Sequence, residues 1–404
     1  MGQRATFRSV FRVREFRALW AAELFSNAGD QLARVALAIL VYQRTESAAL
    51  TGLTYALTFV PSLFGGVLLA GLGDRFPRRT VMVAADVARA VLVGLMALPG
   101  MPLWLLCVLV VATTLLHGPF KAAQQALLPD VLEGEKYTTG MAIRNITIQT
   151  AQLAGFAGGG VLVAGLSAQG GLVVDALTFV VSAAFVRMGV RRRPAAQGAE
   201  RRPFGASLLD GARVIVRDPA LMALLALCWL AGFYVVPEAL AAPFANSLGA
   251  SAASVGLLMA ADPVGSIVGG IAFSQVPEPV QIRVIGVLGI LAGVPLVAVF
   301  ANPGLVVSML LFALSGFFAT AYNIQGTASF VRRLPDAHRA QGSGVLSAGL
   351  TTVQGLGALA SGVLADAIGP AHAIAFAGLA GALVAIPIAV AWHRAQPARP
   401  ALAG

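Results

Sequence analysis

The chain has 404 residues, 58% of them hydrophobic and only 11% charged, whereas a soluble domain carries about 25% charged residues. That composition excludes an ordinary water-soluble protein and calls for lipid as the solvent. The formal charge of +10 does not make it a nucleic-acid binder either, because the arginines are spread among the connecting segments and form no single basic patch.

Apolar stretches longer than about 18 residues recur from end to end, and at 1.5 Å per residue each can cross a hydrocarbon core of roughly 30 Å. The short alternating segments of a transmembrane barrel are missing, so the spans read as helices. Arg4, Arg8, Arg12, Arg14 and Arg17 precede the first span. That span is interrupted by charges and lacks a small-residue cleavage pattern, so it reads as a retained helix and not as a signal peptide.

Twelve spans are predicted, near 16–42, 49–72, 80–98, 102–127, 137–165, 170–190, 219–242, 252–275, 283–300, 304–328, 342–365 and 371–392. This is an all-α membrane protein. With the N-terminus in the cytoplasm, nearly every loop arginine falls on that side and only Arg44 falls outside, so both termini are expected there and the location is the inner membrane.

In the first span Glu23, Asn27, Asp30 and Arg34 recur at spacings of four, three and four, within an arc of about 60°. A charge near mid-bilayer costs roughly 2.5–3.5 kcal/mol on insertion scales. The stripe therefore either faces a wet cavity or holds an Asp30–Arg34 pair that neutralises itself. Asp86 and Arg89, at i and i+3 in the third span, read as a structural pair. Further coupling or cavity candidates are Lys121 in the fourth span, Arg144, Asn145, Gln149 and Gln152 in the fifth, and Asp262 in the eighth. Tyr322, Asn323 and Gln325 in the tenth either line a cavity or pack. Glu238 follows Pro237 near the end of the seventh span and reads as a solvated mouth residue. Gly155, Gly158 and Gly159 suit close helix packing.

Residues 191–218 begin RRRPAAQGAERRP and read as a cytoplasmic linker between six-helix halves, 1–190 and 219–404. Within it Leu208, Leu209, Ala212, Ile215 and Val216 predict a short interfacial helix. Two parallel repeats are supported by Leu128-Pro129-Asp130 recurring as Leu334-Pro335-Asp336. Thr150, Gln152, Gly155, Gly160, Val161 and Leu162 likewise recur as Thr352, Gln354, Gly357, Gly362, Val363 and Leu364 at one constant offset. Such repeats suit a transporter that rocks about a central site.

Gly71-Leu72-Gly73-Asp74-Arg75-Phe76-Pro77-Arg78-Arg79 resembles the signature loop of the major facilitator superfamily, with Ala70 and Pro77 in place of its two glycines. The resemblance implies that fold and a cytoplasmic gate in which Asp74 and Arg75, with Arg78 and Arg79, latch helix ends. A plain stop-transfer cluster is the alternative for Arg78 and Arg79. Phe16-Arg17-Ala18-Leu19-Trp20 and Ser26-Asn27-Ala28-Gly29-Asp30 resemble the drug-efflux branch that includes macrolide and enterobactin exporters. Ala154 to Gly159 resembles the antiporter motif, with Gly155 replacing its proline. The exporters' usual fourth-span arginine is absent, and His117 is the nearest basic group.

The function this implies is export of amphipathic small molecules by proton antiport, from a monomer embedded in membrane lipid. Phe25 to Asp30 and Gly118-Pro119-Phe120-Lys121 also resemble lysophospholipid flippases. A receptor or scaffold without turnover is the reading from a different class. Lys121 and Lys136 are the only lysines and neither follows a glycine, which excludes a phosphate-binding loop of that type. No catalytic arrangement, metal-ligand spacing or cofactor motif is found, and Cys107 and Cys228 suggest two inert thiols.

Overall fold

The computed structural model describes residues 6–68, 76–193 and 204–395. Asp74 and Arg75 lie outside the described residues. All regular structure within them is helical. Backbone groups placed in lipid must find partners within their own segment, and a helix satisfies that requirement.

The first span is α2 (Arg14–Thr45), preceded by the short α1 (Phe7–Phe11). It ends where Glu46 turns left-handed at φ 50 and its N–H donates to the Tyr42 carbonyl at 2.8 Å. The second span is bent into α3 (Ala48–Ala56) and α4 (Val60–Leu68), followed by α5 (Arg78–Met96) and α6 (Leu103–Val131). Next comes α7 (Glu135–Gly189), 55 residues long and so roughly 80 Å if straight, far more than one crossing needs. Ser167 breaks it with φ 77 and ψ 168. The predicted fifth and sixth spans therefore meet at one left-handed residue.

The linker helix is present as α8 (Phe204–Val216). Its predicted apolar face is divided: Ile215 is buried while Leu209 and Val216 stay exposed. A side chain at Gly211 would collide with the Gln341 backbone, so this glycine lets α8 lie against its neighbour and turns Ile215 inward. The seventh span is not the continuous helix expected but four pieces, α9 (Pro219–Trp229), α10 (Ala231–Tyr234), α11 (Val236–Ala239) and α12 (Ala241–Ser247). Pro237 and Pro243 cannot donate backbone hydrogen bonds, which favours such breaks.

The remaining spans are α13 (Ala252–Ser274), α14 (Glu278–Val297, extended by a 3₁₀ turn at Ala298–Ala301), α15 (Leu305–Arg333), α16 (Arg339–Ile368) and α17 (Pro370–Ala395). Among the described residues ten helical segments are long and apolar enough to cross a membrane. The break at Ser167 makes two of one, and the more charged α5 completes twelve.

The chain divides into two compact units, Met1–Glu200 with Ala239–Ala260, and Arg201–Glu238 with Ala261–Gly404. In the first, Ala18, Leu19 and Ala22 of α2 pack with Met82 of α5, Phe120 and Leu127 of α6, and Val186 of α7. The contact between α2 and α7 rests on small residues. A Cβ on Gly155 would meet the Ala28 carbonyl at 2.5 Å, and one on Gly159 would meet the Leu32 Cα at 3.1 Å. Gly158 does not belong to this contact, since nothing lies within 4 Å of its would-be Cβ; at 3.6 residues per turn it points off the face that Gly155 and Gly159 share. In the second unit, Gly265 and Gly269 of α13 give the same closeness to Ala313 and Phe317 of α15.

Candidate functional site: a charge network within the first unit

The stripe on α2 meets charges from three other helices. Glu23 is 2% exposed and is held by Arg144 of α7, whose Nε and Nη2 donate to its two oxygens at 2.7 and 2.6 Å. The same Nη2 also donates to Gln124 of α6 at 3.0 Å. A planar guanidinium matched to both carboxylate oxygens is the strong, oriented form of this interaction. Asn27 donates to the Glu23 carbonyl at 2.7 Å and so lies along its own helix.

One turn on, Asp30 accepts from Arg89 of α5 at 2.5 Å, and His117 Nδ1 of α6 lies 3.8 Å from its other oxygen. This corrects two expectations. Asp30 is not neutralised by Arg34, and Arg89 is not chiefly the partner of Asp86, whose Oδ1 lies 3.9 Å away. An i, i+3 spacing allows a contact but does not rank it against a partner on another helix. Arg34 instead donates to Gln31 at 3.2 Å and lies 4.4 Å over the ring of Phe59. Lys121 is half-buried and lies within electrostatic reach of Glu23, Asp30, Arg144 and Arg34.

Asp175 and Ser182 were not among the sequence candidates. Asp175 is 1% exposed and lies against Gly29, where any side chain would overlap its carboxyl group and Thr178. Ser182 donates to Asp86 at 2.6 Å. An acid within the apolar run Gly170 to Val181 was a visible signal for Asp175, since intramembrane charges are costly by default. Nothing in the sequence marked Ser182.

Other candidates fall outside this network. Asn145 is exposed and Gln149 half-buried, and neither donates into it. At the ends of the helices Arg78 donates to Asp130 at 2.8 Å and to the Ala126 carbonyl at 2.6 Å, while Arg79 donates to the Arg187 carbonyl. Glu15 receives Arg193 at 2.8 Å. Arg78 and Arg79 tie the start of α5 to the ends of α6 and α7, where free helix carbonyls favour cations.

In the second unit Asp262 is half-buried, 3.4 Å from Ser266 Oγ, against Gly316, where a side chain would strike its carboxyl group. Tyr322 and Gln325 are buried, Gln325 donating to Ser329 at 3.2 Å. Glu238 is buried as well, not solvated as its position near Pro237 suggested.

Twelve spans, with charges paired between helices inside the first unit, define a multi-pass membrane protein. Residues 19–275 and 231–403 match the model of the Major Facilitator Superfamily, and the chain belongs to that superfamily. Over 183 residues it is 24% identical to YkuC, an uncharacterized MFS-type transporter of Bacillus subtilis (strain 168). That match covers 44% of this chain and 42% of the relative, so less than half the relative's length is spanned.

Solved structures share the fold over nearly the full length. A bacterial homolog of the human lysosomal transporter Spinster, inward-facing and unoccupied, superposes with a TM-score of 0.73 at 13% identity, covering 98% of this chain and 100% of that one. A POT family transporter in complex with 5-aminolevulinic acid gives 0.76 at 11% identity, covering 98% and 99%. The nucleoside transporter NupG gives 0.71 at 14%, covering 95% and 100%. The family is one of transporters and not enzymes, and implies a small-molecule substrate.

Proposed function

We propose that the chain exports amphipathic small molecules across the cytoplasmic membrane by proton antiport with alternating access, both termini lying in the cytoplasm. The observation that carries this reading is Asp30. Its side chain keeps 24% exposure between Arg89 and His117, near the middle of a membrane-spanning helix. A carboxylate there is not sealed off by its neighbours, and it sits beside a cation whose hold on it depends on its charge. Glu23, locked by Arg144 on both oxygens, is the poorer proton carrier, and Asp262 is its counterpart candidate in the second unit.

The exporter-like residues Phe16 to Trp20 and Ala154 to Gly159 favour efflux. Two six-helix halves, 1–190 and 219–404, joined by the linker 191–218, supply the moving parts. The proton binds while the acid is open to the outside and leaves on the cytoplasmic side. Asp74, Arg75, Arg78 and Arg79 latch the cytoplasmic helix ends between steps.

The test is substrate-stimulated proton movement in proteoliposomes loaded with a pH dye, using lipophilic cations, macrolides and lysophospholipids. A proton signal with a cation or macrolide that disappears in Asp30→Asn is the expected result. Proton-independent movement of lysophospholipids alone would replace this reading with lipid flipping.

A further inference from the structure

Arg89 stands between carboxylates on two helices, and only one of them holds it. Its Nη2 donates to Asp30 of α2 at 2.5 Å, and its Nη1 reaches Ser26 Oγ at 3.2 Å. Asp86 Oδ1, on the same helix as Arg89, is 3.9 Å from Nη1. That oxygen is fully buried and, among the described residues, accepts no hydrogen bond, and Arg89 Nε is likewise buried without a partner there. Buried polar atoms in a native fold are nearly always paired, so an unpaired acceptor beside an unpaired donor of the same guanidinium needs a reason. The guanidinium carbon lies 4.0 Å from the centre of the Phe179 ring. An aromatic face attracts a cation without fixing its rotation, so it supports the group while its hydrogen bonds change.

We propose that Asp86 is the second resting place of Arg89: when Asp30 takes up a proton, the guanidinium leaves it and closes on Asp86. The step rests on reading Asp30 as the proton-binding acid. Its consequence is mechanical, because a tie between α2 and α5 becomes a tie within α5. The bond lost is the charge-assisted one to Asp30, and the bonds gained reach the waiting Asp86 oxygen. The neighbouring titratable and charged groups are Glu23 and Arg34 on α2, His117 and Lys121 on α6, and Arg144 and Asp175 on α7. Asp175 lies within electrostatic reach of both Asp30 and Arg89. Ser182, donating to the other Asp86 oxygen at 2.6 Å, sets how strongly Asp86 competes.

The test is infrared difference spectroscopy between acidic and alkaline pH on the full chain in lipid, with isotope-labelled arginine. The wild type should show a protonated-carboxyl band lost in Asp30→Asn, and an arginine shift lost in Arg89→Lys. Asp86→Asn should keep the carboxyl band, move its midpoint to lower pH and lose the arginine shift. Ser182→Ala strips a donor from Asp86, strengthens its pull on Arg89, and should tighten proton binding at Asp30 several-fold, raising the midpoint. An arginine shift unchanged in Asp86→Asn overturns the exchange. If that variant does not fold, an unmoved midpoint in Ser182→Ala overturns it instead. A wild type with no Asp30-dependent carboxyl band would sink the proton reading itself, an outcome distinct from these.

Discussion

Arg144 closes on Glu23 from a helix 121 residues away in the chain, with both carboxylate oxygens engaged and both side chains nearly sealed from solvent. A pair of that kind is not easily half-removed, since the survivor keeps its charge without its partner. Arg144→Ala is expected to destabilise the protein by about 3–5 kcal/mol, the usual cost of orphaning a buried charge. The double variant Glu23→Gln/Arg144→Gln should recover much of that loss. Thermal unfolding in detergent reads both, and an equal loss in single and double variants would show that the pair acts through packing alone.

Arg34 offers a contrast on the same helix. It stacks over Phe59 and lies within 5.7 Å of the Tyr55 ring centre, with no carboxylate paired to it among the described residues. Phe59→Leu should cost about 0.5–1 kcal/mol from the lost cation–π contact, well below the effect at Arg144. A loss as large as that of Arg144→Ala would mean that Arg34 depends on Phe59 for its charge to be tolerated at all.

The sequence showed the twelve spans well because hydropathy over a long apolar run needs no knowledge of neighbours. It also showed the stripe Glu23, Asn27, Asp30 and Arg34, because one helix's periodicity is local. It did not show which charges pair. Asp86 lies three residues from Arg89, yet Asp30 on another helix holds that arginine, and packing alone decides the matter. The glycines tell the same story: Gly155 and Gly158 look alike in sequence, and only the approach of Ala28 separates them. The breaks in the seventh span had a local signal in Pro237 and Pro243, which mean apolarity over the window obscured.

Gly155→Ala and Gly158→Ala therefore form a matched pair. The first drives a methyl group into the Ala28 carbonyl and Gln31 Cβ and should lower the melting temperature measurably. The second meets open space and gains helix propensity of up to about 1 kcal/mol, so it should be neutral or mildly stabilising. Similar losses in both would place Gly158 against a surface absent from the isolated chain.

Asp218 carries a pH-dependent contribution outside the spans. It caps α9 by accepting from the Ala220 and Leu221 amides at 2.9 and 3.4 Å and receives Arg333 at 2.7 Å. Burial works against its charge but is outweighed by the Arg333 hydrogen bond and the capping amides, which hold its carboxyl below the usual value of 3.8. With the folded value depressed, the stabilisation is complete above the ordinary carboxylate range and disappears as the pH falls through the folded value. Asp218→Ala should cost about 1 kcal/mol at neutral pH as a lost cap, whereas Asp218→Asn should retain most of the cap and lose the acid sensitivity. Melting curves from pH 7 to 3 distinguish the two.

The helix-end ion pairs fall at similar places in the two halves. Pro77 precedes Arg78 at the start of α5, and Pro277 precedes Glu278 at the start of α14. Arg78 reaches Asp130 near the end of α6, while Glu278 meets Arg332 near the end of α15. In each half, then, a proline-led helix start is tied to the end of the next span, with acid and base exchanged. The partners are not counterparts in the repeat, since Asp130 corresponds to Asp336 and not to Arg332. Surface pairs of this sort are worth only about 0–1 kcal/mol, so either polarity serves, and what the two halves share is the place of the clasp and not the residues that make it.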